Sequence, residues 1–399
     1  MVCLKDKRIL VCVSAGIAAY KAVELVRLLQ KEGADVWVSM TQGAKEFVGE
    51  MTFAAITGHS VLSNLFEEGK GSSIGHIEMA EKADLAVVAP ATANIIGKIA
   101  GGLADDAVTT TLLAVTTPKI LCPAMNTAMY ENRAVQRNLD TLEGDGWHIV
   151  EPGVGEMACG TTGPGRLAEP ATIVDRIKAA LVPKDLLGKN LVISAGPTRE
   201  AIDPVRYISN RSSGKMGYEV ARAAEYRGAN VTLVSGPVSL ETPHGVEKIS
   251  VTSVDEMADA IFSRMEEADA IIKVAAVADY RPKTRAEHKI KKKSDEMSID
   301  LDKNIDILRE LGRRKTRQVL VGFAAETQDL AANAKKKIEA KNLDMIVGNL
   351  VGDPSSGFGT DTNIVTFFHP DGSNEPFESM GKDDVAHKLL DRVVAKMKK

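Results

Sequence analysis

The chain has 399 residues, too many for one ordinary hydrophobic core, so two domains are expected. Its 44% hydrophobic and 26% charged residues are those of a soluble globular protein, and no run of 18 apolar residues predicts a membrane-spanning helix. A net charge of -4 and only 4% aromatic residues argue against nucleic acid or an anionic membrane as partner.

Met1 to Lys7 is short and charged, with no signal-peptide core behind it. Cys3, Cys12, Cys122 and Cys159 show no CxxC spacing and are expected as reduced thiols of a cytoplasmic protein. "RILVCVSAG" (Arg8 to Gly16) is a short apolar run ending in a glycine loop, and Ala18, Ala22, Leu25, Val26 and Leu29 then recur at helical spacing. "ADVWVSM", "DLAVVAP", "PKILCPA" and "WHIVEP" follow as candidate strands between helices, the pattern of a parallel sheet covered on both faces. "LVPKDLLGKN" breaks that pattern and reads as a linker, dividing the chain into residues 1–182 and 190–399 around 183–189. The pattern then restarts. Ser14-Ala15-Gly16 returns as Ser194-Ala195-Gly196, an offset of 180, whereas Gly33 returns as Gly228, an offset of 195. The second copy therefore carries 15 extra residues, placed in "PTREAIDPVRYISNRSSGKMG". Two strand–glycine–helix openings suit phosphate groups at helix N-termini, although any α/β protein puts glycine where a strand turns into a helix.

Within the first half, "SSIGHIEMA" puts His76 just inside a helix capped by Ser72 or Ser73, with Ile74 and Ile77 on its buried side. Alone, His76 reads more readily as a surface histidine on an amphipathic helix than as a base. "PATAN" and "PAMNTAMY" end strands in small, hydroxyl and amide residues, and the second sets Asn126 at a sheet edge. "EMACGTTGPGR" carries Cys159 on a loop too polar for core and too glycine-rich for helix. In the second half, "SNRSSGKMG" fails the Walker A spacing and has Met216 where a magnesium-binding hydroxyl belongs. "RPKTRAEHKIKKK" holds seven Lys or Arg residues, read as a solvated loop, a nucleic-acid contact or, better supported, a phosphate clamp. No set of residues is read as a metal site.

"SAGIAAYK", "GHIEMA", "PATAN", "GGLADD", "PAMNTAMY" and "ACGTTGPGR" occur in the order seen in the flavin-dependent cysteine decarboxylases, which the first half resembles. "SAGPTRE", "DPVRYISNRSSGKMG", "AAVADYRP", "KIKK", "GFAAET" and "KNLD" make the second half similar to phosphopantothenate–cysteine ligases. Together they resemble the bacterial bifunctional coenzyme A biosynthesis proteins over essentially the whole chain. The resemblance implies two Rossmann-like α/β domains, a flavodoxin-like flavoprotein domain and a doubly wound parallel-sheet ligase domain. It implies FMN near Ser14, Gly16, Ile17, Thr41, Pro90, Ala91, Thr92 and Asn94. Oxidation of a cysteine thiol to a thioaldehyde would give the carboxylate an electron sink. His76 would be the base near thiol and flavin, Asn126 would hold the carboxylate, and Cys159 would protonate the enethiolate formed on loss of CO2. The glycines around Cys159 suit a flap that closes over substrate, with Arg166 as its anchor.

For the second half the resemblance implies attack of the 4'-phosphopantothenate carboxylate on CTP, brought with Mg2+. Cysteine would then displace CMP from the acyl-cytidylate. Arg206 and Asn210 would face the acyl group, and Asp279 and Lys289 the triphosphate. Val274, Ala275, Asn304, Ile305, Asp306, Ile307, Phe323, Lys337 and Lys341 would line the nucleotide pocket, the two lysines sharing a helix face. Lys273 departs from the small residue expected beside them. Trimeric decarboxylase and dimeric ligase domains would close a homo-oligomer into a dodecamer. The alternatives are a flavin-binding regulatory protein, which intact His76, Asn126 and Cys159 oppose, and a dinucleotide-dependent oxidoreductase, which lacks its GxGxxG.

Overall fold

Strand β1 (Arg8–Val13) is buried at every residue but Arg8, because sheet neighbours and helices enclose it on all sides. The computed structural model describes residues 4–65, 75–156, 160, 162–291, 297–326, 329–350 and 359–398. Contacts divide the chain into two units, Val2–Val182 and Pro183–Lys399.

In the first unit, α1 (Ala19–Lys31) buries Ala19, Ala22, Leu25, Val26 and Leu29, the helical stripe that faces the sheet. β2 (Asp35–Met40), α2 (Glu50–Thr57), α3 (Gly75–Lys82) and β3 (Leu85–Ala91) follow. After them come α4 (Ala93–Ala100), α5 (Ala107–Ala114), β4 (Lys119–Pro123), α6 (Thr127–Tyr130), α7 (Arg133–Gly144) and β5 (Trp147–Ile149). An antiparallel hairpin of β6 (Gly153–Glu156) and β7 (Thr162–Arg166) leads to α8 (Pro170–Ala180). The five long-range strands pair in parallel in the order β2-β1-β3-β4-β5. This is the flavodoxin-like order, and its switch point lies between β1 and β3.

The second unit begins with β8 (Asn190–Ala195), followed by β9 (Arg199–Ala201) and β10 (Tyr207–Ser209), α9 (Lys215–Tyr226), β11 (Asn230–Ser235) and β12 (Glu247–Ser250). Next come α10 (Val254–Phe262), β13 (Ala270–Lys273), the hairpin strands β14 (Tyr280–Pro282) and β15 (Leu301–Lys303), and α11 (Ile307–Arg314). The chain continues through β16 (Val319–Glu326), α12 (Leu330–Lys341), β17 (Met345–Leu350), β18 (Thr362–Asn363) and β19 (Val365–Phe368). It ends with β20 (Asn374–Pro376), β21 (Met380–Gly381) and α13 (Lys382–Met397). Its main sheet runs β12-β11-β8-β13-β16-β17-β19-β20, parallel as far as β17 and antiparallel beyond. The parallel part has the doubly wound order 3-2-1-4-5-6, with its switch point between β8 and β13. Helix α9 packs directly on β8, since a Cβ on Gly217 would lie 2.6 Å from Ala195 Cβ. The β9–β10 hairpin occupies the stretch where the shifted repeat places its extra residues.

Residues 183–189 do not run free between the units. Leu186 is buried in the second core, Leu186 N donates to Arg227 O at 3.0 Å, and Asp185 pairs with the Arg227 guanidinium.

Candidate active sites at two switch points

At the C-terminal ends of β1 to β4 the first unit opens a cavity of about 1140 Å³. Its floor is tied across the switch point: Ser14 Oγ donates to Pro90 O at 2.8 Å and accepts from Thr92 N at 3.1 Å. Two glycines keep the wall close to the backbone. A Cβ on Gly43 would lie 2.8 Å from Ala15 Cβ, and one on Gly16 3.3 Å from Thr92 Cγ2. Thr41 lines the cavity, and its Oγ1 is buried with no hydrogen-bond partner among the described residues. Such an atom is costly unless a bound molecule meets it, so the cradle fits a phosphorylated, polyhydroxylated group such as FMN.

Of the expected flavin residues, Ser14, Gly16, Ile17, Thr41, Pro90, Thr92 and Asn94 line this cavity, as does Asn126. Ala91 does not: it is fully buried, and its C=O accepts from Ala124 N at 2.9 Å. Strand alternation turns it into the core beside Pro90. His76 sits in the first turn of α3 as expected, but it is not among the described residues lining the cavity. Ile77 is half-buried, and Ser72, Ser73 and Ile74 lie outside the described residues. The Asn126 amide oxygen caps α6 by accepting from Ala128 N at 2.9 Å.

Cys159 also lies outside the described residues, but the two strands flanking it form the β6–β7 hairpin. That hairpin rests on the Asn126 loop: Met125 N donates to Gly165 O at 2.9 Å, and a Cβ on Gly163 would lie 2.7 Å from the Thr127 side chain. Arg166 lines the cavity and lies 4.0 Å from Glu169. Cavity residues that the sequence reading did not single out are Lys21, paired with Glu169 at 3.0 Å, and Lys98. Lys98 bonds Asp105 at 2.8 Å and Asp106 at 3.0 Å, which hold its ammonium above the usual lysine range. Burial works to raise Asp106, but the Thr109 amide and Lys98 together keep it below the usual carboxylate range. Its capping box with Thr109 starts α5, a signal legible in "ADDAVTT".

At the second switch point, a smaller cavity of about 130 Å³ is lined by Gly196, Ser212, Gly214, Val274, Ala275 and Phe323, among others. Asn210 reaches its edge by donating Nδ2 to Ala276 O at 2.9 Å, and Ser194 Oγ accepts from Ala275 N at 3.2 Å. A depression of about 530 Å³ holds Asn304, Ile305, Asp306 and Lys341. Asn304 Nδ2 donates to Ala278 O at 2.8 Å, while its buried Oδ1 has no partner among the described residues. Asp306 caps α11 through Arg309 N at 3.1 Å and pairs with Lys341 at 2.8 Å. Burial would raise it, but Lys341 and Arg309 N keep its carboxyl below the usual range.

Ile307 departs from the expectation: it is buried in the core behind α11 and does not line either recess. Lys337 lies one turn before Lys341 on α12, half-buried, and Asp279 is exposed with its C=O accepting from Asn304 N at 2.9 Å. Lys273 ends β13, and burial, followed by repulsion from Lys341, lowers its ammonium to about 8. Lys289 is exposed on the loop after β14. The Arg206 guanidinium is held by Asp203 Oδ2, at 3.1 Å from Nε and 2.7 Å from Nη2, beside the acyl role expected of it. Lys215 and the buried Lys382 also line the smaller cavity; 167 residues separate them, so no local pattern links them. Among the described residues no group of three His, Cys, Asp or Glu side chains could hold a metal ion, and no helix is long and apolar enough to cross a membrane.

Comparison with known proteins covers both units. The family model "Flavoprotein" matches residues 2–182, and "DNA/pantothenate metabolism flavoprotein C-terminal domain" matches residues 186–397. The coenzyme A biosynthesis bifunctional protein CoaBC of Bacillus subtilis (strain 168) is 50% identical over 396 residues, covering 98% of each chain. Its namesake from Escherichia coli (strain K12) is 46% identical over 399 residues, again covering 98% of each chain. A crystal structure of the C-terminal domain of a protein of that name covers 54% of this chain and 98% of its own, at 41% identity and a TM-score of 0.47.

Proposed function

Because the chain belongs to the family of bifunctional coenzyme A biosynthesis proteins, with a flavoprotein decarboxylase domain and a ligase domain, we propose that its two units perform successive steps. The ligase unit joins 4'-phosphopantothenate to cysteine at the expense of CTP, with Mg2+ carried by the nucleotide. The flavoprotein unit then decarboxylates phosphopantothenoylcysteine to 4'-phosphopantetheine with FMN. The reading rests above all on the first cavity, where glycine-tightened walls and the orphaned Thr41 hydroxyl surround a space sized for a flavin nucleotide.

FMN would supply, when bound, the oxidising equivalent that turns the substrate thiol into an electron sink β to the carboxylate, and would give the same electron pair back after CO2 has left, so that the overall step is redox neutral. The chain's own residues do the rest. Ser14, Gly16, Ile17, Thr41, Thr92 and Asn94 bind the cofactor, Asn126 orients the substrate carboxylate, and His76 takes the thiol proton. Cys159 returns a proton to the enethiolate carbon, beneath a β6–β7 flap that keeps water out. Exposed Ile17 and Tyr20 beside the cavity, with His76 away from its lining, support a site completed by neighbouring copies in a trimer.

In the ligase unit Val274, Ala275 and Phe323 hold one part of the nucleotide, and Asn304, Ile305, Asp306, Lys337 and Lys341 another. Lys289 and Asp279 meet the triphosphate, and Asn210 donates to the oxyanion that forms as the cysteine amine displaces CMP. We place the enzyme in the cytoplasm, as a dodecamer built from trimeric and dimeric contacts.

The test is incubation of the purified chain with 4'-phosphopantothenate, cysteine and either CTP or ATP, followed by mass spectrometry. CTP should yield CMP, pyrophosphate, CO2 and 4'-phosphopantetheine. A colourless protein without FMN, or AMP formation with ATP and none of CMP with CTP, would overturn the reading.

A further inference from the structure

The Asp203 carboxylate has no exposed surface, and its oxygens accept five hydrogen bonds. Oδ1 takes the amides of Val205 at 2.9 Å and Arg206 at 2.8 Å, closing the turn between β9 and β10. Oδ2 takes Arg206 Nε at 3.1 Å and Nη2 at 2.7 Å, and also the amide of Ile290 at 3.1 Å, 87 residues away in sequence. Arg206 Nη2 closes the ring by donating to Ile290 O at 3.2 Å. A third tie follows: Ala286 N donates to Ile202 O at 3.0 Å. Paired with the Arg206 guanidinium and accepting from three backbone amides, Asp203 stays ionised well below the usual carboxylate range.

These bonds dock the loop after β14 on a turn of the inserted hairpin. The loop residues from Lys283 to Lys291 belong to no helix or strand, and most are exposed, so little else in their local sequence would order them. Both docked backbone groups at Ile290 belong to the residue directly after Lys289. We propose that Asp203 is the positioning residue of this basic loop. With Arg206 it clamps the Ile290 peptide and so presents the Lys289 ammonium to the triphosphate of the nucleotide substrate. The proposal rests on the reading of Lys289 as a triphosphate contact. A lysine on an unordered loop must be immobilised on binding, whereas a clamped one has met part of that entropy cost beforehand.

Asp203→Asn keeps an oxygen for the Val205 and Arg206 amides but sets an NH2 group against the Ile290 N–H and the guanidinium, donor against donor. The experiment uses the full-length chain with FMN bound and measures ligation kinetics for Asp203→Asn, Lys289→Gln and the double variant. Expected is a rise of about tenfold in KM for CTP in each single variant, with kcat and KM for cysteine changed by less than about threefold. The double variant should be no worse than Lys289→Gln alone, because one residue acts through the other. Trypsin should cut after Lys289 and Lys291 faster in Asp203→Asn, while decarboxylation of supplied phosphopantothenoylcysteine stays unchanged.

If Lys289→Gln raises KM and Asp203→Asn does not, the positioning role is wrong and the lysine reading stands. If Lys289→Gln leaves KM for CTP unchanged, the lysine reading itself fails. Additive effects, or a fall of every kinetic constant together with melting temperature, would make Asp203 merely structural. Should Asp203→Asn not fold, Arg206→Lys serves: it keeps a cation on Asp203 but cannot span to Ile290 O, and it should raise both KM for CTP and tryptic cleavage. No change in either overturns the proposal.

Discussion

Ser14 and Thr92 are joined across the first switch point, Ser14 Oγ accepting from Thr92 N at 3.1 Å and lying 3.2 Å from Thr92 Oγ1. The hydroxyl expected to touch a cofactor phosphate is thus also the tie that holds the start of α4 against β1. Ser14→Ala would leave the Thr92 amide without that acceptor, at about 1–3 kcal/mol. Lower melting of the first unit and lower FMN content at 450 nm are expected, with amide-bond formation by the second unit unchanged. Unaltered melting would show that the tie is dispensable.

Thr41 makes the opposite prediction for stability and binding. Its buried Oγ1 has no partner among the described residues, so Thr41→Val removes an unmet polar atom at nearly constant shape. The apo-protein should melt at the same temperature or higher, while FMN binds about tenfold more weakly, about 1.4 kcal/mol. Flavin titration by fluorescence quenching gives both Kd values. Equal affinities would mean that Thr41 does not meet the cofactor.

The close approach of Gly163 to Thr127 has a built-in control in Gly155. A Cβ on Gly163 would lie 2.7 Å from the stiff Thr127 side chain, whereas one on Gly155 would meet Arg166 Nη1 at 2.9 Å, the far end of a flexible chain. Gly163→Ala should lift the hairpin from α6 and slow CO2 release by about tenfold, taking that barrier change as about 1.4 kcal/mol. Gly155→Ala should change it less than about twofold. Equal effects would remove the argument that the hairpin must seat on Thr127.

Much of this was legible in the sequence because strands enclosed on both faces are apolar throughout and their helices repeat at 3.6 residues. The shift from an offset of 180 to one of 195 marks the stretch that holds the β9–β10 insertion. What failed was side-chain direction at single positions. Ala91 follows Pro90 in the same strand and points the other way, and Ile307 begins α11 facing the core while Asp306 caps it toward the recess. Lys382 carries no local signal at all, because only the fold brings α13 to the loop before α9. Asp203 was visible in "DPVR", but its bond to Ile290 crosses 87 residues and no periodicity encodes it.

Lys273 sets a pH dependence in the second unit. Its ammonium is lowered from 10.5 to about 8 by burial and by Lys341, so the unfolded chain keeps this proton between those values while the folded chain loses it. Stability therefore rises with pH across that window, and below about 8 the folded state carries the full cost of a buried cation. The difference between wild type and Lys273→Met should grow in favour of wild type from pH 8 to 10, by at most about 3 kcal/mol. A bound triphosphate would favour the cation again, so CTP binding near pH 8.5 should take up protons. Calorimetry in two buffers of different ionisation enthalpy measures this; no uptake would place the triphosphate away from Lys273.

Arg227 shows how residues 183–189 are fastened. Its side chain is 6% exposed, with Nη2 at 2.5 Å from Asp185 and Nη1 at 2.8 Å from Asp391 and 3.1 Å from His387 O. One cation thus joins the entry segment, the end of α9 and the C-terminal helix α13. Arg227→Met keeps most of the length but removes the bonds to Asp185, Asp391 and the His387 carbonyl, and the two partly exposed carboxylates turn to water. The expected loss is about 1–3 kcal/mol, the scale of hydrogen bonds to a charged group. Arg227 holds Asp185 below the usual carboxylate range, so this contribution is complete above the ordinary aspartate pKa and is lost as pH falls through the lowered one. Trp37 and Trp147, the two tryptophans, both lie in the first unit. Fluorescence therefore follows that unit alone, while circular dichroism follows both. In the variant the fluorescence transition should stay in place and a second, dichroic transition should move down by several degrees. Movement of the fluorescence transition by the same amount would contradict an anchor that acts within the second unit.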